Sequence, residues 1–221
     1  MLPYEPLDSF TTPDGREMTL YRQGDDLFVN FDGRELMSTR THRSECTLAR
    51  VACRELENNP APRILIGGLG LGYTVRAALD AMSPEASIVT AEVYESIVAW
   101  NRTHADRLGD TLDDPRLQIR LDDVYAVLAE KKAFDAILLD VDNGPIAETL
   151  ESNARLYERS GLRRIRAALK HDGLLAVWSA HPDDAFTRRL SAAGFSEVRA
   201  EIARTGKGRG ARHVIFLGHA G

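Results

Sequence analysis

From residue 63 onward the chain alternates short apolar runs with amphipathic segments of helical period. Apolar runs of four to eight residues are typical of buried strands, and a period near 3.6 is typical of helices. The strand-like runs cover 63–66, 87–91, 117–121, 134–139 and 173–178, and the helical segments lie near 73–82, 94–106, 124–131 and 154–169. Such alternation predicts βαβ units, and therefore an α/β fold with a doubly wound, mostly parallel sheet.

Both ends of the chain follow a different pattern, with short β-prone runs separated by turn residues. Runs at 18–22 and 27–31 are followed by Asp32-Gly33, a dipeptide that favours a tight hairpin turn. Near the other end, runs at 197–203 and 212–217 flank a glycine-rich segment. We therefore expect a small N-terminal β-hairpin unit over residues 1–40 and a C-terminal antiparallel hairpin.

Between the N-terminal unit and the sheet, the apolar positions Leu48, Val51, Ala52 and Leu56 follow a helical period. The prolines at 60 and 62 end this pattern. The expected organisation is therefore an N-terminal unit over 1–40, a linking helix over 41–59, and an α/β domain over 60–221.

Composition narrows the class of protein. Of the 221 residues, 43% are hydrophobic and 28% are charged, as in ordinary folded domains and unlike disordered or fibrous chains. No apolar run is long enough for a membrane span, and the start lacks the pattern of a signal peptide, so we expect a cytoplasmic protein without a membrane partner. The two cysteines cannot form a zinc site or a disulfide framework. We expect no bound metal.

Charge is distributed unevenly along the chain. The net charge of −5 argues against general nucleic-acid binding, and we expect no nucleic-acid partner. Residues 151–221 nevertheless carry 13 basic and 7 acidic side chains. Lys207, Arg209 and Arg212 lie in or beside the predicted C-terminal turn, where they either face an anionic substrate or point into solvent.

The strongest motif is Gly68-Leu69-Gly70-Leu71-Gly72, which follows an apolar strand and precedes a helix. Glycines permit a tight turn and a close approach of a ligand to the backbone, and the helix start offers free N–H donors. The G-x-G-x-G spacing is typical of folds that bind S-adenosylmethionine, whereas a dinucleotide fingerprint requires a glycine where Tyr73 stands. Packing of helix on strand is the alternative explanation of these glycines.

Carboxylates follow three later strands. Glu92 lies about twenty residues beyond the glycine loop, where an acid can accept both ribose hydroxyls, and Asp123 is suited to an adenine amine. Asp140 and Asp142 follow the fourth strand, where a partly buried carboxylate could accept a proton from an amine nucleophile. A solvated Glu92, a helix cap at Asp123 and loop caps at the last two are the alternatives.

Taken in order, these segments resemble the spermidine synthase (polyamine aminopropyltransferase) family. The resemblance covers nearly the whole chain, and its segments are Asp32-Gly33, Ser44-Glu45, Leu48-Ala49, the glycine loop, Ala91-Glu92-Val93, Asp123-Val124-Tyr125-Ala126-Val127-Leu128, Phe134-Asp135, Leu139-Asp140 and Leu156-Tyr157. The family implies a Rossmann-like sheet of class I methyltransferase type and a homodimer. It implies cofactor contacts at Gly68, Gly70, Leu71, Gly72, Glu92, Val93, Asp123 and Val124.

The activity implied by the resemblance is aminopropyl transfer from decarboxylated S-adenosylmethionine to an amine, with Asp140 as base and Asp142 nearby. This chain departs from the family pattern where Gly70 replaces an aspartate that contacts the aminopropyl ammonium. Two alternatives therefore stay open: a small-molecule methyltransferase that uses intact S-adenosylmethionine, with an amine or an anionic acceptor, and a non-catalytic member that binds a nucleoside.

Overall fold

A computed structural model describes residues 3–141, 144–145, 151–204 and 212–221. The N-terminal strands are β1 (Glu5–Thr11), β2 (Glu17–Gln23), β3 (Asp26–Phe31) and β4 (Arg34–Ser38). The remaining strands are β5 (Arg63–Gly67), β6 (Ser87–Glu92), β7 (Leu117–Leu121), β8 (Phe134–Leu139), β9 (Leu169–Ser179), β10 (Phe195–Arg204) and β11 (Arg212–Ala220). The helices are α1 (Arg43–Glu55), α2 (Tyr73–Ala81), α3 (Glu95–Thr103), α4 (Ala105–Leu108), α5 (Val124–Val127), α6 (Glu151–Tyr157), α7 (Arg159–Ala168) and α8 (Asp184–Ala192), with a 3-10 turn at Thr111–Asp113.

Seven strands form the central sheet in the order β10-β11-β9-β8-β5-β6-β7. Strands β5 to β9 are parallel, and β11 is antiparallel to both β9 and β10. The expected α/β class, the mostly parallel sheet and the C-terminal antiparallel hairpin are confirmed. Because the chain runs outward from β5 through β6 and β7 and then returns to β8, strand order reverses between β5 and β8. Ligands of such sheets bind at the carboxyl ends of the strands on either side of this reversal.

Helices cover both faces of the sheet, and the apolar side chains of the strands alternate between two cores. In β5, for example, Ile64 and Ile66 pack into the core beneath α1, α2 and α3, whereas Leu65 packs into the core beneath α5, α7 and α8. Strands buried on both faces read as continuous apolar runs, which explains why the sequence showed no polar alternation here.

The N-terminal unit is a four-stranded antiparallel meander in the order β1-β2-β3-β4. The hairpin turn at Asp32 and Gly33 forms as expected, with positive φ values of 51° and 76°. Strands β1 and β4 are additional to the two strands that the pattern predicted. A bulge after Pro6 interrupts the alternation of β1, so its apolar residues do not follow a period of two.

Aromatic packing joins this small sheet to the main domain. Phe10 of β1 lies 5.1 Å from Tyr94 and 5.5 Å from Trp100, measured between ring centroids. The indole N–H of Trp100 donates to Asp8 at 2.7 Å. The N-terminal sheet is therefore held against α3, and its apolar face shares one core with α1 and α2.

The helical segment near 154–169 consists of two helices, because the backbone is extended at Glu158, between α6 and α7. Gly161 permits the close turn, because a side chain there would overlap the carbonyl oxygen of Arg155. Within the ranges given above, no helix has both the length and the apolar character that a membrane crossing needs.

Candidate active site

A cleft opens at the carboxyl edge of the sheet, between β4 and the glycine loop. Its volume is about 100 Å³. Its lining comes from β4, from the first turns of α1 and α2, from the glycine loop, and from the ends of β8 and β9. The lining residues are Leu36, Met37, Ser38, Glu45, Leu69, Gly70, Leu71, Tyr73, Thr74, Asp140 and Trp178.

The glycine loop has a left-handed backbone at Gly68, Gly70 and Gly72, with φ values of 85°, 52° and 80°. A side chain at residue 68 would place its Cβ 2.7 Å from the carbonyl oxygen of Asp140, so only glycine fits there. The side-chain amide of Asn101 donates to the Gly70 carbonyl at 2.8 Å and holds the loop from α3. The loop is therefore packed tightly against β8 and α3 before any ligand binds.

Glu92 ends β6 with its carboxylate buried beneath this loop. One carboxylate oxygen accepts the backbone N–H of Leu69 at 3.1 Å, and the other accepts that of Tyr94 at 3.0 Å. Burial raises the pKa of Glu92, and these backbone donors partly offset the rise. The backbone N–H groups of Val93 and Gly70 also act on this carboxylate, so it is held by the loop above it.

Beyond Glu92, two apolar side chains are left unusually exposed at neighbouring strand ends. Val93 after β6 is 47% exposed, and Leu121 at the end of β7 is 54% exposed. Apolar side chains at such an edge can hold the faces of a flat ring. Leu121 was absent from the site predicted from the sequence, because nothing in an amphipathic edge strand marks one apolar residue as uncovered.

Asp123 follows β7 at the same edge of the sheet, but it is not among the lining residues named above and it already has partners. Its carboxylate accepts the backbone N–H of Tyr125 at 2.7 Å, which caps α5, and it is ion-paired with Arg155 of α6. The cap suggested as the alternative explanation of this residue is therefore present. Val124 is buried against Gly67, so it can offer a ligand little besides its backbone.

Asp140 follows β8 and faces the cleft beside the glycine loop. Its carboxylate accepts a hydrogen bond from the hydroxyl of Thr74, at the start of α2. Burial and the charge of Glu45 raise the pKa of Asp140 to about 7, against the smaller effect of the Thr74 hydrogen bond. This carboxyl can therefore gain or lose a proton near neutral pH. Asp142 lies outside the described residues.

Glu45 is a second acid in the cleft that the sequence analysis did not assign to the site. It lies in the first turn of α1, and burial raises its pKa. Its hydrogen-bond partner, Ser44, is itself bonded to His213 of β11, 169 positions along the chain. Membership of the Ser44-Glu45 segment in the family resemblance was the one available signal.

Lys207 and Arg209 lie outside the described residues, and Arg212 is exposed. The lining residues named above include two acids and no lysine, arginine or histidine. In the ranges that the structure describes, no three potential ligand side chains are grouped so that they could hold a metal ion. The cleft thus combines a glycine cradle with two acids that favour a cationic ligand.

The chain is similar in sequence to polyamine aminopropyltransferases. The chain is 29% identical over 125 residues to a polyamine aminopropyltransferase of Thermoanaerobacter sp. (strain X514), over 56% of this chain and 43% of that protein. It is 27% identical over 155 residues to the polyamine aminopropyltransferase of Stenotrophomonas maltophilia (strain K279a), over 69% of this chain and 51% of that protein. The chain therefore spans about half the length of these curated relatives. No family model matches it.

The spermidine synthase from Thermotoga maritima is structurally similar, with a TM-score of 0.78 and 19% identity over 98% of this chain and 73% of that one. The resemblance to spermidine synthases is thus confirmed in sequence and in fold. The chain has a spermidine synthase-like fold of class I methyltransferase type.

Proposed function

We propose that this protein transfers an aminopropyl group from decarboxylated S-adenosylmethionine to an amine acceptor, with Asp140 as the base. The observation that carries the proposal is Asp140 itself, a partly buried carboxyl beside the glycine loop with a pKa of about 7. A base of this pKa is available at neutral pH and still accepts protons readily. The similarity to polyamine aminopropyltransferases supports the same reaction class.

The residues at the sheet edge fit an adenosyl compound. Gly70 presents its backbone to the cleft, Glu92 lies beneath the same loop as the candidate acceptor of the ribose hydroxyls, and Val93 and Leu121 offer apolar surface for the adenine ring. Asp123 would accept a hydrogen bond from the adenine amine after its ion pair with Arg155 has opened. The remaining contacts would come from the backbone of Gly70, Leu71, Gly72 and Val124.

When bound, the sulfonium compound supplies a carbon activated for displacement. The acceptor nitrogen forms a bond to that carbon while the carbon–sulfur bond breaks, and the bonding electron pair goes to sulfur. Asp140 takes the proton that the nitrogen loses, and Thr74 orients the Asp140 carboxylate for this task. Most of the acceleration would come from holding the two reactants in line.

The charge of the cleft favours the decarboxylated compound over intact S-adenosylmethionine. Glu45 and Asp140 make the lining acidic, and the described lining supplies no cationic side chain to offset a further carboxylate. A cofactor that ends in an ammonium group gains from these acids, whereas the carboxylate of intact S-adenosylmethionine would be repelled. The same charges favour an amine acceptor over an anionic one.

The test compares binding and turnover in one preparation. Calorimetry measures the affinities for decarboxylated and intact S-adenosylmethionine, and product formation is followed with a panel of amines. We expect preference for the decarboxylated compound and transfer to an amine. Asp140→Asn should still bind the cofactor, with a loss of affinity small beside the loss of about 10²- to 10⁴-fold in kcat. Asp80→Asn, at an exposed position of α2, is the matched control.

Three outcomes would overturn parts of this proposal. Preference for the intact compound would make the protein a methyltransferase, and binding without turnover would favour a non-catalytic nucleoside-binding role. Unchanged turnover in Asp140→Asn would remove Asp140 as the base.

The resemblance also supports a cytoplasmic homodimer, and sedimentation that shows only monomer at high concentration would contradict the dimer.

A further inference from the structure

A line of hydrogen bonds runs from the cleft to the last strand of the sheet. The hydroxyl of Ser44 donates to Glu45 Oε2 at 2.6 Å, and His213 Nδ1 lies 2.9 Å from the same hydroxyl oxygen. Because the Ser44 hydrogen is directed to Glu45, the imidazole must donate through Nδ1. The carboxylate of Glu45 is thus held from behind by two groups in series.

His213 is fixed in the position that this arrangement requires. Its ring packs edge to face on Trp178, with 4.6 Å between centroids, and Trp178 lines the cleft. Burial and the charge of His181 lower the pKa of His213, so the ring is neutral under ordinary conditions. Ser44, which links His213 to Glu45, is fully buried. Neither group brings a charge that would neutralise Glu45.

Glu45 needs such support because its neighbour in the cleft is another acid. Asp140 and Glu45 repel each other when both are ionised, and a glutamate side chain has enough rotational freedom to turn away. Nearby, the sulfur of Met37 would lie 3.2 Å from any Cβ at Gly70, so that position leaves little room for an acidic side chain. The second negative charge of the cleft therefore comes from α1.

We propose that Ser44 and His213 are positioning residues that hold Glu45 in the cleft, where Glu45 binds the cationic, non-reacting end of a diamine acceptor. Glu45 is then a determinant of acceptor specificity, and Asp140 serves the reacting nitrogen as the base. This inference rests on the proposed function for the identity of the reaction. Its physical content is cation binding by Glu45, which can be measured without turnover.

The experiment uses 1,4-diaminobutane as the probe, at pH 8.5, above the pKa of about 7 of Asp140. Calorimetry gives its affinity, and steady-state assays separate its KM from kcat. Glu45→Gln should weaken binding about tenfold or more because an ion pair becomes a neutral contact. Ser44→Ala should raise KM roughly three- to tenfold and change kcat by less than about twofold, since the carboxylate remains but is no longer held.

Two substitutions at His213 separate positioning from packing. His213→Phe keeps a ring against Trp178 and removes the donor, so it should behave like Ser44→Ala. His213→Asn places an amide N–H close to the position of Nδ1 and should restore the KM of the original protein. Ser191→Ala, which removes an exposed hydrogen-bonded hydroxyl on α8, is the control and should change neither constant.

Each result has a defined consequence. Normal diamine affinity in Glu45→Gln, or an equal loss in His213→Asn and His213→Phe, would overturn the positioning inference even if aminopropyl transfer is observed. Diamine binding that depends on Glu45 without any transfer would overturn the proposed reaction and leave this inference standing. Absence of diamine binding to the unsubstituted protein would overturn both.

Discussion

The raised pKa of Asp140 predicts that replacing this residue makes the protein more stable at alkaline pH. The folded state holds the Asp140 proton up to a pH of about 7, whereas the ordinary value is 3.8. The folded protein therefore binds more protons than the unfolded chain between these values, and stability falls as pH rises through that window. About three pH units at about 1.4 kcal/mol each give a cost of about 4 kcal/mol above pH 7.

Asp140→Asn should remove this cost because asparagine carries no charge and its side-chain oxygen can still accept from Thr74. The substituted protein should be more stable by up to about 4 kcal/mol at pH 9, and the two should converge toward pH 4. Urea unfolding of both proteins at several pH values from 5 to 9 measures the difference. Asp80→Asn, at an exposed position, should show no such pH-dependent gain.

The result that would refute this reasoning is a difference between the two proteins that does not change with pH. That outcome would mean that the Asp140 carboxyl is hydrated in the folded state and titrates near its ordinary value. A loss of stability in Asp140→Asn at pH 9 would be equally decisive, because it would show that the charge contributes a favourable contact. Either finding would also weaken the case for Asp140 as a base poised near neutrality.

Two further predictions concern the glycine loop and the adenine end of the cleft. Gly68→Ala should lower the free energy of unfolding by about 2–4 kcal/mol and abolish cofactor binding, because the new methyl group both strains a left-handed backbone and clashes with the Asp140 carbonyl. Gly15 has nearly the same φ but open space around it, so Gly15→Ala should cost only about 1–2 kcal/mol in urea unfolding. Equal costs would contradict the clash. Asp123→Asn keeps a good cap for α5 and should weaken calorimetric binding of the adenosyl compound about tenfold with little change in melting temperature. Unchanged affinity would remove Asp123 from the site.

The central sheet was predictable because its strands are buried on both faces and are separated by helices of clear period. The N-terminal sheet was harder to predict. Strand β1 bulges after Pro6, and β4 is half-exposed, so neither shows clean alternation. The break between α6 and α7 depends on the close approach of Gly161 to the last turn of α6, which the apolar period of this segment does not reveal. The local sequence pattern therefore predicted the strands that are buried on both faces. It missed the strands that are bulged or half-exposed and the break between two consecutive helices.

The same division holds for the cleft. Asp140 could be predicted to face the cleft because the carboxyl ends of parallel strands converge on one edge, so position in the strand determines position in the fold. Glu45 could not be found this way. It lies on a helix, and the contact that fixes it comes through Ser44 from His213, 169 positions away. Sequence spacing does not predict such a contact, because Ser44 and His213 come together only when β11 has added to the folded sheet.

The N-terminal sheet forms part of the surroundings of Asp140. Burial is the largest cause of the raised pKa of Asp140, and the cleft that this carboxyl faces is lined by Leu36 and Met37 of β4 and by Trp178 of β9. Removal of β4 would expose the carboxyl to more water, and its pKa would fall toward the ordinary value. The proposed base therefore depends on two sheets that are far apart in sequence, and the packing of Phe10 against α3 helps to hold them together.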